Sequence, residues 1–318
     1  MLPVILYLVG GLGFLYLGAE GLVRGSAALA FRAGLTRLVV GLTLVAFGTS
    51  SPELVVSVSS SLEGNSGIAM GNVIGSNICN IALILGLSAL IRPVSVNAQV
   101  VRLQIPLMIA VSCILGLFLI DGVLSRLDGL ILVVGIIAYV TFSIYMARKS
   151  INHESGRDID ADIPILSRNP VIDIILVAGG LVLLAVGARL FVSGAVSIAD
   201  SLGVSRAVIG LTIVALGTSL PELATSVVAS AKNEGDIAVG NVIGSNIFNI
   251  LAILGLASLV RPVGLGGIGA FDIFAMLAIS LLVLPLARSG FVLNRKEGFA
   301  LLLCYVGYIL LLMRNLGR

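Results

Sequence analysis

Long apolar stretches recur along the chain at nearly regular intervals, at roughly 3–23, 38–62, 64–91, 103–120 and 128–147, then 171–190, 207–231, 237–260, 270–287 and 298–313. Each can cross about 30 Å of hydrocarbon as a helix. The pattern predicts an all-α polytopic membrane protein with ten transmembrane helices. One polar segment of any length interrupts it, Arg148 to Pro170, which holds Arg148, Lys149, His153, Glu154, Arg157, Asp158, Asp160, Asp162 and Arg168. That segment predicts three parts: a first five-helix unit over 1–147, a linker over 148–170, and a second five-helix unit over 171–318.

Composition agrees. Of 318 residues, 58% are hydrophobic and 11% charged, against about 25% charged in soluble domains, and mean hydropathy is +1.16. So few charges cannot cover a water-soluble surface of this size, which excludes a cytosolic enzyme, a disordered chain and a disulfide-rich secreted module. The 38 glycines suit closely packed or broken membrane helices. Cys79, Cys113 and Cys304 lie far apart in apolar stretches and read as small buried hydrophobes. The single histidine, His153, lies in the polar segment, so no intramembrane histidine relay can form around it. A net charge of +3 gives no reason to expect nucleic acid as a partner.

Lysine and arginine set the expected orientation. Thirteen of the nineteen fall in loops on one side of the ten-span scheme, the side that carries the mid-chain segment. The positive-inside rule makes that side cytoplasmic. A cell (inner or plasma) membrane location follows, with both termini outside.

The two halves repeat. Adding 169 to a first-half residue number gives its twin, and Val39–Val94 aligns with Val208–Val263 without a gap, with 35 identities in 56 columns. Five spans per copy is an odd number, so the second copy enters the membrane from the opposite side. Inverted repeats of this kind mark transporters whose site lies at mid-membrane between the copies.

The identities concentrate on polar residues. Gly48-Thr49-Ser50-Ser51-Pro52-Glu53 recurs as Gly217-Thr218-Ser219-Leu220-Pro221-Glu222. Gly71-Asn72-Val73-Ile74-Gly75-Ser76-Asn77-Ile78-Cys79-Asn80 recurs as Gly240-Asn241-Val242-Ile243-Gly244-Ser245-Asn246-Ile247-Phe248-Asn249. Fifteen uncharged residues precede Glu53 and nine follow it, and Glu222 has the same setting. At 1.5 Å per residue both acids lie deep in the hydrocarbon, where an ionisable side chain marks function. Pro52 and Pro221 remove the helical donors for the carbonyls of Gly48 and Gly217. Freed carbonyls at that depth can serve as cation ligands. Ser76 and Asn80, like Ser245 and Asn249, are four apart and share a helical face.

Two carboxylates, carbonyls, hydroxyls and amides make an all-oxygen set, which suits hard cations such as Ca²⁺ or Na⁺ over zinc or copper. An empty pocket would carry −2, a heavy cost in an occluded low-dielectric state. One Ca²⁺ or two Na⁺ neutralise it, so a carrier that rearranges only when loaded becomes an obligatory exchanger.

With these two blocks, each present twice, the chain resembles the Ca²⁺/cation antiporter superfamily, in particular prokaryotic-type sodium/calcium exchangers. The resemblance covers essentially the whole chain. It implies an antiporter, not an enzyme, that exchanges Na⁺ for Ca²⁺ by alternating access. These ions are transported substrates; no cofactor and no protein partner is implied. It further implies Ca²⁺ and Na⁺ binding by Glu53 and Glu222 and ligands from Thr49, Thr218, Ser50, Ser219, Ser76 and Ser245. Backbone carbonyls are implied at Ala46, Thr49, Ala215 and Thr218, with Asn80 and Asn249 at the central polar positions. The chain departs from the family at one of these, where members often carry Asp, and at Ser51, where Leu is favoured.

Other readings stay open at this stage. A proton-coupled Ca²⁺ exchanger could use the same two glutamates, although the lack of an intramembrane histidine favours Na⁺. An ion channel would need the broken helices to line an open pore. An intramembrane hydrolase finds no H-E-x-x-H motif. The alternating Asp158, Asp160 and Asp162 lack an EF-hand pattern and read as a solvated charge cluster.

Overall fold

The computed structural model describes residues 2–153, 169–201 and 215–316. The helices are α1 (Leu2–Arg32), α2 (Arg37–Thr49), α3 (Ser51–Leu62), α4 (Ser66–Ile91), α5 (Val100–Phe118) and α6 (Arg126–His153). The second half supplies α7 (Pro170–Ser201), α8 (Ala215–Thr218), α9 (Leu220–Ala231), α10 (Gly235–Val260), α11 (Ala270–Arg288) and α12 (Arg295–Leu316). Among the described residues, α1, α4, α5, α6, α7, α10, α11 and α12 are each long and apolar enough to cross a bilayer. The bent pair α2–α3, with a 48° turn between its parts, makes a ninth. The chain is thus a helical, multi-pass membrane protein.

The expected span at 207–231 is described only from Ala215 onward. Its first residues lie outside the described set, as do Glu154, Arg157, Asp158, Asp160, Asp162 and Arg168 of the expected linker. Arg148–His153 continue helix α6.

Turn chemistry sets several helix boundaries. Thr36 caps α2 by accepting the Val39 N–H at 3.3 Å. Ser125 and Asp128 cap α6 reciprocally, with Ser125 N–H donating to the carboxylate at 2.8 Å and Asp128 N–H to the hydroxyl at 3.3 Å. Asn294 and Glu297 do the same for α12, which satisfies first-turn donors that have no partner inside a helix.

Helices α4 and α10 form the centre. Their most apolar windows are 72% and 83% buried, against 11% for α12. Both swell into a π turn in mid-course, Cys79–Leu85 in α4 and Asn249–Leu254 in α10. Such turns add a residue to the helical circuit and often occur at functional sites.

Helices α1 and α7 pack backbone to backbone. A Cβ on Gly11 would meet Gly187 O at 2.9 Å, and one on Gly18 would meet Gly180 O at 2.8 Å. A Cβ on Gly25 would fall 2.8 Å from Asp173 O. Rising numbers on α1 meet falling numbers on α7, so the two run antiparallel. At the end of this ridge, Arg32 Nε donates to Asp173 Oδ2 at 2.6 Å.

Two short ribbons stitch the halves together. Val94–Ser95 (β1) pairs antiparallel with Val292–Leu293 (β4), and Val123–Leu124 (β2) with Val263–Gly264 (β3). Arg295 donates to Ile91 O at 3.4 Å and Arg126 to Val260 O at 3.2 Å, so each half supplies a cation to the last turn of the other half's central helix. Adding 169 to the first-half members of these contacts gives the second-half members.

Candidate cation site

The breaks come first. Ser50 (φ −81°, ψ 6°) and Ser219 (φ −88°, ψ 6°) leave the helical basin in the same way, and each is followed by a helix with proline in its first turn. Proline preorganises that first turn and has no N–H to give to the preceding segment. The ladder resumes when Leu54 N–H donates to Ser50 O at 3.1 Å and Leu223 N–H to Ser219 O at 3.0 Å. Glu53 and Glu222 therefore sit in the first turns of α3 and α9, and both are 1% exposed.

Each carboxylate is completed by the other half. Ser50 Oγ donates to Glu222 Oε1 at 2.8 Å, and Ser219 Oγ donates to Glu53 Oε1 at 3.2 Å. Ser219 Oγ also lies 3.2 Å from Ser76 Oγ, which brings α4 to the same place.

The first asparagine of each long block secures the break. Asn72 Nδ2 donates to Glu53 O at 3.2 Å and to Ser57 Oγ at 2.9 Å; Asn241 Nδ2 donates to Glu222 O at 3.4 Å and to Ser226 Oγ at 2.9 Å. Thr49 Oγ1 is 3.0 Å from Asn241 Oδ1, and Thr218 Oγ1 is 3.3 Å from Asn72 Oδ1. Both threonines are thus engaged across the halves. Thr49 Oγ1 also approaches the carbonyls of Val45 (3.0 Å) and Ala46 (3.4 Å).

Asn80 and Asn249, each 1% exposed, stand at the start of the two π turns. Helix α9, which carries Glu222, packs on the π turn of Asn80, and α3, which carries Glu53, packs on that of Asn249. Asn249 N–H still donates to Ser245 O, and Cys79 N–H to Gly75 O, so the backbone keeps its i,i+4 helical course up to the start of each π turn.

What is left over is informative. Glu53 Oε2, Glu222 Oε2, Asn80 Oδ1 and Asn249 Oδ1 are buried acceptors without a hydrogen-bond donor, and Ser245 Oγ is unpartnered as well. A buried acceptor without a partner costs about 1–3 kcal/mol, and four such oxygens on neighbouring elements form a cluster of acceptors that a cation would satisfy. Other buried polar atoms without partners, such as Gln104 Oε1 and Thr225 Oγ1, lack an unpartnered twin at the 169 offset. The described residues bring no three of His, Cys, Asp and Glu together; the donor set is two carboxylates with neutral oxygens.

Of the residues expected from the sequence, the structure joins Glu53, Glu222, Ser50, Ser219 and Ser76 by direct contacts. It sets Thr49 and Thr218 beside them and brings Asn80 and Asn249 in on the facing π turns. Ala46 is fully buried, and its carbonyl accepts Ser50 N–H at 3.0 Å. Ala215 begins α8. Sequence reading singled out neither Asn72 and Asn241 nor Asn77 and Asn246, although all four lie inside the repeated blocks.

A multi-pass helical protein with paired carboxylates at its polar centre belongs to the class of ion-handling membrane proteins. The chain belongs to the sodium/calcium exchanger protein family, whose family model matches residues 3–145 and 172–314. The family's members are exchangers rather than enzymes. The sodium/calcium exchanger MaX1 of Methanosarcina acetivorans is 35% identical over 96% of this chain and 97% of its own length. The inner membrane protein YrbG of Escherichia coli is 40% identical over 82% of this chain and 81% of its own. Among solved structures, the sodium-calcium exchanger NCX_Mj, soaked with zero Na⁺ and Ca²⁺, superposes with a TM-score of 0.84. It is 35% identical, and the match covers 98% of this chain and 99% of that one.

Proposed function

We propose that this chain is a ten-helix antiporter, built as two inverted five-helix repeats (1–147 and 171–318) joined by the cytoplasmic segment 148–170. It moves Ca²⁺ in one direction and Na⁺ in the other by alternating access. The antiparallel meeting of α1 with its twin α7 supports the inversion, because an exchange of halves that lays a helix antiparallel on its counterpart reverses its sense across the bilayer. The positive-inside count supports external termini.

The observation that carries the functional reading is the set of four unpartnered buried oxygens, Glu53 Oε2, Glu222 Oε2, Asn80 Oδ1 and Asn249 Oδ1. All are hard acceptors, and flexible oxygen coordination suits Ca²⁺. Thr49, Thr218, Ser50, Ser219, Ser76 and Ser245, with the Ala46 and Ala215 carbonyls, complete the ligand set we assign. With both carboxylates ionised an empty pocket carries −2, and rearrangement without cargo would bury that charge in a medium of low dielectric. Loading with Ca²⁺ or Na⁺ removes that barrier and couples the two fluxes. The names of the related exchangers support the choice of ions.

Radioactive calcium uptake into proteoliposomes tests the coupling. An imposed outward Na⁺ gradient should drive uptake, and an imposed pH gradient at zero Na⁺ should not. Uptake driven by the pH gradient alone would replace Na⁺ by H⁺ as the coupling ion.

A further inference from the structure

We infer that Asn77 and Asn246 are positioning residues that fix the side-chain amides of Asn249 and Asn80 with their oxygens turned to the cation. The inference rests on the site proposed above and adds the device that orients it.

A primary amide can face its neighbours in two ways, and only one presents oxygen to a cation. Here backbone chemistry decides which. The carbonyl of Asn246 is buried between α4 and α10 and accepts from Asn77 Nδ2 at 3.3 Å; in return the carbonyl of Asn77 accepts from Asn246 Nδ2 at 3.3 Å. A carbonyl can only accept, so both side chains must turn their NH₂ groups to it. The second N–H of each is aimed at a thioether, Met276 Sδ at 3.9 Å from Asn77 and Met108 Sδ at 3.6 Å from Asn246. The sulfur atoms are weak acceptors and cannot donate, so a flipped amide would find no donor there.

With the amide nitrogens committed, Asn77 Oδ1 and Asn246 Oδ1 face the π turns. They accept from Asn249 Nδ2 at 2.9 Å and from Asn80 Nδ2 at 3.1 Å. The orientation is thereby passed on: Asn249 and Asn80 spend their NH₂ groups on the inner pair, and their Oδ1 atoms remain unpartnered in a buried setting. Each relay crosses from one half to the other, and every member of the ring is 1% exposed. Without the inner oxygen, the outer amide is free to turn its NH₂ towards the cation, which would repel it.

The test is a pair of double-mutant cycles read by Ca²⁺ affinity in the purified full chain, alongside the Ca²⁺-to-Na⁺ selectivity of proteoliposome transport. Asn249→Ala and Asn77→Ala should each lower Ca²⁺ affinity by roughly tenfold, the scale of one hydrogen-bonding group. The double variant should be no weaker than Asn249→Ala, because Asn77 acts only through Asn249. Paired with Asn80→Ala, Asn77→Ala should instead be additive. A purely structural asparagine would cost the same in every background, and additivity of Asn77→Ala with Asn249→Ala would overturn the inference. If Asn77→Ala does not fold, the mirror cycle of Asn246→Ala with Asn80→Ala carries the same test. An Asn249→Ala chain with unchanged affinity would overturn the inference too. If Glu53→Gln then still lowers Ca²⁺ affinity by roughly 10³-fold, the site itself survives; if Glu53→Gln is also silent, the site assignment falls with it.

Discussion

Replacing Glu222 by glutamine isolates the charge of the site from its hydrogen bonding. Glutamine keeps a carbonyl oxygen where Glu222 Oε1 accepts the Ser50 hydroxyl at 2.8 Å, so the contact across the halves survives. The unpartnered Oε2 becomes an NH₂ group, which turns an acceptor into a donor and takes the formal charge of the two side chains from −2 to −1. Two unit charges ~4 Å apart interact by about 4 kcal/mol at an effective dielectric of ~20. Ca²⁺ carries twice that charge, while water entering the pocket recovers part of the loss. Taking about 4 kcal/mol as the net effect, Ca²⁺ affinity should fall by roughly 10³-fold. Glu53→Gln should match it, since Glu53 has the same burial and a hydroxyl donor from the opposite half. The assay is radioactive calcium uptake by Na⁺-loaded proteoliposomes across a Ca²⁺ titration, with a monodisperse elution profile as the control for folding. A folded Glu222→Gln chain whose apparent Ca²⁺ affinity stays within about tenfold of the parent would refute the charge reasoning.

Two further outcomes follow from the structure. Gly18→Ala would place a Cβ 2.8 Å from Gly180 O, whereas a Cβ on Gly13 meets nothing within 4 Å. Gly18→Ala should therefore cost about 1–3 kcal/mol through overpacking and lower the detergent-solubilised Tm, while Gly13→Ala should hold or raise it; equal melting of the two would remove the ridge from the account. At the membrane edge, burial holds the Glu234 carboxyl above its ordinary value of 4.5, although Arg37, 2.9 Å away, pulls it down. The native state then binds the proton more tightly than the unfolded chain, so this group's contribution to stability declines as pH rises from 4.5 to the raised native value. Arg37→Met should deepen that decline and extend it to higher pH, and Glu234→Gln should abolish it. An unchanged Tm–pH profile in Glu234→Gln would rule the group out.

Much of this was legible in the chain because depth and repetition are properties of order along the sequence. An acid flanked by fifteen and nine uncharged residues must lie in the hydrocarbon, and Pro52 and Pro221 mark where the helices break. Gly11 and Gly18 recur at the 169 offset as Gly180 and Gly187, but order along the chain does not show them as the facing sides of one antiparallel ridge. The π turns at Cys79–Leu85 and Asn249–Leu254 left no trace, because an added residue per turn is a matter of packing that composition does not encode. Asn72, Asn77, Asn241 and Asn246 stood within conserved spacing between the copies, yet their roles depend on backbone carbonyls of a partner segment more than 140 residues away in the case of the inner pair. The two-residue ribbons were equally hidden, being too short to carry an alternating pattern.

The swapping of hydroxyls, Ser50 for Glu222 and Ser219 for Glu53, means that neither half of the chain owns a finished acid. A lone amino-terminal half would present a bare carboxylate and an idle serine. Two such halves meeting head to tail would supply each other with what both lack, which makes a pair of repeats the smallest unit in which each carboxylate finds its hydroxyl donor.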